Sequence, residues 1–365
     1  MTSKLHYFGL VYRIYLTQNS WKIMRIKVIS NILEFENLEE DWDRLLRSKD
    51  NYSTFQSFEF NYFSWKFLLN KSNNILSIVA LYDGTTIKSI LPFYIDRRLK
   101  LRFINDIHAD FCDYLTDIEI DFDLVVKELK SSFTIRHFHL INLKTNSCVL
   151  ENKLPDYCKI LTSSEYLTLP LEKTDSFPSN FTQFVYRQKR RLKRILKKYP
   201  TGILELISYP ENDFPLKEIQ ELRKKMIDSS VRKQDFLDAD FLNLIKVLYD
   251  SKKLKISVLK VDNQISALSF FFQRKDEYSF WIDMFDEKQM INLYHNTLFI
   301  KTMTEQQTAV FNFGRGNYSY KIQNFSPKIE PLFSVNIFRS DFSLKIYQLK
   351  LFLITFVKSV FRKIK

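Results

Sequence analysis

Residues 75–93 read ILSIVALYDGTTIKSILPF, and residues 254–271 read LKISVLKVDNQISALSFF. Each is an apolar, β-branched run, a tight polar turn and a second such run. The turn is Asp83-Gly84 in one and Asp262-Asn263 in the other. Asp-Gly between alternating apolar segments is a strong hairpin signal, and Asn supports positive φ almost as well as Gly. The two hairpins lie about half a chain apart, which predicts two copies of one domain.

Around the second hairpin the pattern is the clearer of the two. Helical periodicity covers 215–229 and 239–250, and strands are expected at 254–261, 264–273 and 277–284. The irregular stretch FDEKQMINLYHN follows, then a helix expected at 297–309. The strand VFNF runs straight into Gly314-Arg315-Gly316, and a last strand is expected at 331–338. Helix pair, three-strand meander, loop, helix and strand make an α+β (mixed α/β) domain. The first copy shows a helix near 37–47, the aromatic run FQSFEFNYFSW, the hairpin and LRFINDIHADFCDYL. Residues 170–180, PLEKTDSFPSN, read as the linker. The domains are therefore expected at 24–169 and 170–338, followed by a basic amphipathic tail at 339–365.

Composition excludes several classes. Hydrophobic residues make up 45% and aromatic residues 16%, enough for two cores and too much for a disordered chain. Cys112, Cys148 and Cys158 are odd in number and lack CxxC spacing, so neither a disulfide framework nor a thiolate metal site is expected. A reducing, cytoplasmic compartment fits. The apolar stretch Leu5–Leu16 is broken by His6 and Arg13 and has no small-residue cleavage site, so an export signal is not expected. Met24 opens a cleaner start, MRIKVIS, which makes 1–23 a candidate non-native extension. No run reaches the roughly 18 apolar residues of a membrane span. The expectation is a soluble or peripheral protein.

The net charge of +13 is local. Residues 187–198, RQKRRLKRILKK, hold eight basic and no acidic residues, and 344–365 hold six more, also unopposed. Without those fourteen the chain has 41 basic against 42 acidic residues. Two patches point to two local anionic contacts. Phe181, Phe184, Val185, Leu192, Ile195, Leu196 and Tyr199 form a core-facing stripe on the first, so its basic residues cover the other face. That face is either simply solvated or a cradle for a pyrophosphate. The tail, LKIYQLKLFLITFVKSVFRKIK, reads as a basic C-terminal helix: either it lies on an anionic membrane surface or it packs on its own domain.

Residues 311–321, FNFGRGNYSYK, place two of the chain's five glycines two residues apart at a strand end, where missing Cβ atoms permit positive φ and close backbone approach. The segment resembles one in the CelD-like and Fem-like acyltransferases, where a strand ends in Gly-x-Gly and an aromatic-Lys pair follows. The hairpins and NFTQFVYRQKRRLKRILKK sit where that family places its hairpins and basic linking helix, and the resemblance spans about 30–335. It implies two tandem GNAT-like domains and an acyltransferase using acyl-CoA, with acetyl-CoA the expected donor. The acceptor implied is an amino group of a nucleotide- or lipid-linked sugar, a cell-envelope or surface-polysaccharide precursor, at the inner face of the membrane. Nucleic acid is not expected, except for the charged tRNA that the Fem branch uses as donor.

The resemblance also implies the site. The donor's pantetheine arm lies between two parting parallel strands, here Glu277–Met284 and Val310–Phe313. Backbone near Asp283, Met284, Phe313 and Gly314 faces the thioester, and Tyr294, His295, Asn296 and Thr297 meet phosphates at a helix start. A plain Asn or Thr cap is the alternative there. Lys321, next to Tyr320, is placed near the reacting carbonyl as oxyanion stabiliser; the alternative is a surface lysine. Asp283 either accepts the amine proton or orients the amine. Arg315 and Gly316 contact the acceptor, Arg315 by pairing with a phosphate or carboxylate. Arg190, or Arg191 if the register slips, matches the family's acceptor-binding arginine. Two departures stand out: Asn312 and Asn317 occupy positions where the family carries acidic residues. They leave open a third reading, a non-catalytic membrane- or nucleic-acid-binding protein on a GNAT scaffold. His137 and His139 alternate as on a strand but lack a third ligand, so no metal is expected. No Gly-x-Ser-x-Gly or Cys/His nucleophile pair occurs.

Overall fold

In a computed structural model, the described residues are 12–17, 20–104, 106–171, 190, 193–195, 197–286, 291–305, 310–325, 327–349 and 352–353. The chain forms two compact units. One comprises residues 1–65, 69–163 and 333–365, the other residues 66–68 and 164–332. Of the linker expected at 170–180, Pro170 ends a strand and residues 172–180 lie outside the described residues.

The first unit begins with β1 (Tyr12–Thr17) and β2 (Ser20–Ile29), so the stretch read as an extension contributes paired strands. Helices α1 (Ile32–Glu36), α2 (Glu39–Ser48) and α3 (Phe58–Ser64) follow. The aromatic run is helical, and it packs Phe58 and Tyr62 around Phe35 and Trp42 at ring separations of 5.3–5.9 Å. Then come β3 (Ile75–Leu76), β4 (Ile78–Asp83), β5 (Thr86–Leu91), β6 (Phe93–Ile95), β7 (Lys100–Phe103), β8 (Leu115–Thr116), α4 (Phe122–Ser132), β9 (His137–Leu143), α5 (Cys148–Glu151) and the start of β10 (Cys158–Pro170), whose residues from 164 on belong to the second unit. Strands β1-β2-β4-β5-β8 form one sheet. In a second ladder β6 and β7 are antiparallel, β7 and β9 parallel, and β9 takes an antiparallel partner from the chain's last strand.

The second unit contains β11 (Ile203–Ile207), α6 (Leu216–Asp228), α7 (Ala239–Asp250), β12 (Lys255–Val261), β13 (Gln264–Arg274), β14 (Glu277–Phe285), α8 (Asn292–Glu305), β15 (Val310–Arg315), α9 (Ser319–Phe325) and the start of β16 (Lys328–Ile337). Helix α7 begins where the Asp238 side chain accepts the Phe241 amide at 2.9 Å. Its stripe of Phe241, Leu244, Ile245, Leu248 and Tyr249 is buried. The ladder is β11-β12-β13-β14-β15-β10. As in the first unit, a meander leads to one parallel pair, β14 with β15, and the parallel strand then takes an antiparallel partner, here β10. The repeat inferred from the hairpins is thus a repeat of ladders.

The turns are those expected. Val261 pairs with Gln264 across Asp262-Asn263, and both turn residues have positive φ, 49° and 61°. Asp83 pairs with Thr86, and Gly84 has φ 60°. Ile195 and Tyr199 of the basic segment lie in the core of this unit with Phe271, Phe280, Phe299 and Phe311, whereas Arg190, Lys193, Arg194, Lys197 and Lys198 are exposed. The stripe's other members lie outside the described residues.

Two expectations about local structure are corrected. Helix α8 starts at Asn292 rather than 297, because the His295 amide already donates to the Ile291 carbonyl at 2.9 Å. A short helix, α9, stands between the Gly-Arg-Gly turn and the last strand, where no element was expected.

Candidate active site

Strands β14 and β15 pair in parallel through Glu277–Val310, Tyr278–Phe311 and Ser279–Asn312, and no further among the described residues. Beyond that point each is still held on its outer side. β13 pairs with β14 up to Ala267–Phe285, and β10 with β15 up to Tyr166–Arg315. The inner edges therefore part into a notch between the ends of the two strands. Phe280 lies at the fork, 4.7 Å from the Phe311 ring and 4.6 Å from Phe299.

Asn312, the last residue of β15 paired with β14, sets the bend. Its amide Nδ2 donates to Glu277 Oε1 at 3.0 Å, and its Oδ1 accepts the Gly314 amide at 2.9 Å. Gly314 then turns the chain at φ 71° and Gly316 at φ 100°, both left-handed. A carboxylate at 312 would face the Glu277 carboxylate instead of donating to it. The same logic holds at Asn317, whose Nδ2 donates to Glu165 Oε2 at 2.5 Å. At both departures from the family pattern the asparagine donates to a glutamate.

The loop delivers Tyr320 and Lys321 on α9. Lys321 is only 7% exposed; its Nζ donates to the Phe313 carbonyl at 2.6 Å and sits 5.2 Å from the centroid of the Tyr318 ring. The ammonium is thus fixed at the free edge of β15 rather than lying on the surface. Across from it Asp283, partly buried on β14, accepts a hydrogen bond from the Ser269 hydroxyl at 2.7 Å. Burial raises the Asp283 carboxyl above the ordinary range, against the pull of Lys321, of the Ser269 hydrogen bond and of Arg232. Burial, with the Asp283 charge, also holds the Tyr320 phenol well above its usual value, so it stays a donor.

Behind Asp283 runs a row of polar groups across three strands. Ser257 is the cross-strand partner of Ser269, and Ser269 of Asp283. His295 caps the row from α8, its Nε2 2.9 Å from Ser257 Oγ and its Nδ1 3.4 Å from Ser269 Oγ. Burial lowers His295 to about 3, so it is neutral. One proton arrangement satisfies every member. Ser257 donates to Nε2, Nδ1–H donates to Ser269, and Ser269 donates to the carboxylate.

Register makes this row. The β12–β13 ladder shifts by one residue between Leu259 and Lys260, leaving Ser266 opposite nothing. The β13–β14 ladder shifts between Phe270 and Phe271, leaving Trp281 opposite nothing. Without the two bulges Ser257 would face Leu268, and Ser269 would face Ile282.

The structure brings Asp283, Tyr320 and Lys321 together and sets Met284, Phe313 and Gly314 along the notch. It places the expected phosphate contacts differently. Tyr294 lies in the hydrophobic core, with its hydroxyl 3.4 Å from the Gly202 carbonyl. His295 is spent on the serine row, Asn296 is buried, and Thr297 Oγ1 donates to the Leu293 carbonyl at 2.6 Å. The first turn of α8, and the positive end of its dipole, begins at Asn292. Arg315 ends β15, and the Gly316 amide donates to the Glu165 carbonyl at 2.8 Å. His139 Nδ1 bonds Asn336 Oδ1 at 2.8 Å. Among the described residues no cluster of His, Cys, Asp or Glu could hold a metal ion. Sequence reasoning missed Ser257, Ser269 and Arg232. The serines were visible as polar residues inside apolar strands; Arg232, in the loop after α6, gave no signal.

Residues 211–322, from ahead of α6 to just past Lys321, match the family model of the acetyltransferase (GNAT) domain. No curated protein matches the chain. Among solved structures the chain is similar to FemX, with a TM-score of 0.57 at 10% identity over 85% of this chain and 98% of that one. It is similar to L-PGS from Bacillus licheniformis, with a TM-score of 0.54 at 15% identity over 86% and 94%. A conserved protein of unknown function from Bacteroides thetaiotaomicron VPI-5482 gives 0.54 at 11% identity over 86% and 100%. At these identities the likeness is one of fold.

Proposed function

Because residues 211–322 match the acetyltransferase (GNAT) domain, we propose that this chain is a tandem-GNAT, FemAB-like acyltransferase that moves an acetyl group from acetyl-CoA to the amino group of a nucleotide- or lipid-linked amino sugar, a precursor of cell-envelope polysaccharide. The observation that carries the reading is the notch between β14 and β15, with a carboxylate on one lip and a buried ammonium on the other. A GNAT domain implies acyl-CoA as donor, and the notch is where its pantetheine arm would lie. The Phe280 and Phe311 rings at the fork favour a short acyl chain.

In this reading the acceptor nitrogen attacks the thioester carbon, the new C–N bond forms and the C–S bond breaks. The amine proton passes to Asp283, whose Oδ1 is already engaged by Ser269, so Oδ2 receives it. A carboxyl raised by its surroundings is a better match for an amine proton than an ordinary one. Lys321 offers its charge to the oxyanion, and Tyr320, held as a phenol, donates a hydrogen bond to the sulfur, which leaves as the thiolate while Asp283 holds the amine proton. Arg315, with Arg190 on the exposed basic face, would bind the acceptor's phosphates. The reaction would run in the cytoplasm, where such precursors meet acyl-CoA. The GNAT match supports an acyltransferase, and the hydrogen bonds of Asn312 and Asn317 to glutamates account for both asparagines without loss of catalysis.

The test is calorimetric titration with coenzyme A and acetyl-CoA at physiological salt. Micromolar binding supports the reading; no binding ends it. The likeness to FemX favours a second donor, aminoacyl-tRNA, which the exposed basic face would also suit. That donor would bind with steep salt dependence and ignore acetyl-CoA.

A further inference from the structure

The last described helical residues, 341–349 and 352–353, are apolar on two opposite sides. One side packs on its own unit: Leu344 is buried, and Tyr347 lies against the Phe338 ring at 4.8 Å. Ser340 opens the helix, its carbonyl accepting the Leu344 amide at 3.1 Å and its hydroxyl the Ser343 amide at 3.3 Å. On the other side Phe342, Ile346, Leu349, Phe352 and Leu353 are 51–72% exposed. The positions 342, 346, 349 and 353 fall on one helical stripe. Single exposed hydrophobics are ordinary; a stripe of four large ones with Phe352 beside it needs an occupant.

Charge says which occupant. The helix has one acidic residue, Asp341, and it is paired with Lys345 at 2.9 Å. From residue 342 to the end the sequence contains no acidic residue, and from 344 on it contains six basic ones. A second copy docked on this stripe would bring two such basic segments together, which electrostatics opposes. An acidic bilayer surface accepts both features at once: side chains such as Phe and Leu enter the headgroup boundary while lysine and arginine stay among the phosphates. No helix among the described residues is long and apolar enough to cross a membrane, so the contact is one of lying on the surface.

We infer that the outward stripe of the C-terminal helix docks this protein on an anionic lipid bilayer. The inference does not depend on the donor or acceptor of the transfer reaction. It is tested on the full chain by flotation with vesicles of phosphatidylcholine alone and of phosphatidylcholine with phosphatidylglycerol, at low and high salt. The wild type floats with the anionic vesicles only and is released by salt. Ile346→Glu with Leu349→Glu, both exposed and so compatible with the fold, weakens binding at least about tenfold. Lys358→Gln with Arg362→Gln weakens it without touching the apolar stripe. Three results overturn the inference: equal binding to neutral vesicles, no binding to either, or a light-scattering mass of two chains that Ile346→Glu with Leu349→Glu reduces to one. The last would assign the stripe to a second copy.

Discussion

Replacing Ser269 with alanine removes one hydroxyl and tests the whole polar row. In the wild type that hydroxyl donates to Asp283 at 2.7 Å and accepts from neutral His295. A hydrogen bond to a charged group contributes about 1.5–3 kcal/mol, and one pKa unit corresponds to about 1.4 kcal/mol. Loss of the bond disfavours the ionised form, so Asp283 should move up by about 1–2 units, further in the direction burial already pushes it. The folded value then lies still further above the unfolded value of about 3.9. For such a group the folded state is favoured while the carboxyl stays protonated, and that advantage is lost as pH rises through the folded value. Ser269→Ala should therefore cost most stability at neutral pH and less in acid, where Asp283 is protonated in both states. A smaller, pH-independent cost comes from leaving the His295 N–H without its acceptor. The assay is a carbon-13 NMR titration of protein labelled at aspartate, with Asp283 identified by the signal missing from Asp283→Asn. Urea unfolding at two pH values accompanies it. An Asp283 titration that stays put or moves down in Ser269→Ala would refute the proton arrangement.

Lys321→Met keeps the bulk of a buried side chain and removes its charge. If the ammonium meets the oxyanion, turnover should fall by about 10²–10³-fold while calorimetric binding of acetyl-CoA changes little; equal losses in both would make Lys321 a binding or folding residue. Gly316→Ala forces a Cβ onto a backbone at φ 100°, 2.7 Å from the Tyr318 ring, whereas at Gly84, φ 60°, nothing lies within 4 Å. The exposed Tyr318 ring can swing aside, so strain dominates: about 1–3 kcal/mol at Gly316 against about 1 kcal/mol at Gly84, read as a larger drop in Tm for Gly316→Ala.

The elements that the sequence makes legible are those specified locally. Helices α6 and α7 carry their apolar stripes in a row, and Asp262-Asn263 dictates a two-residue turn wherever the strands go. Helix α9 escaped notice because Asn, Ser and Tyr are indifferent helix formers and the segment is only seven residues long. The departures at 312 and 317 could not be weighed from the sequence either. Their glutamates lie 35 and 152 positions away, so their charge balance exists only in the folded chain.

The polar row shows most directly why a site can be half legible. Ser257, Ser269 and Asp283 each stand out inside an apolar strand, and the second turn fixes how β12 and β13 begin to pair. Carried on from that turn, the regular register aligns Ser257 with a leucine, and side chains one residue apart point to opposite faces. Ser266 and Trp281 each add one residue to a single strand of a ladder, and each addition returns the next polar group to the shared face. A bulge has no reliable sequence signature, yet two of them decide whether Asp283 is an isolated carboxylate or the end of a hydrogen-bonded row. The candidate base is thus placed by the irregularities of the sheet, and its chemistry follows from the register they impose.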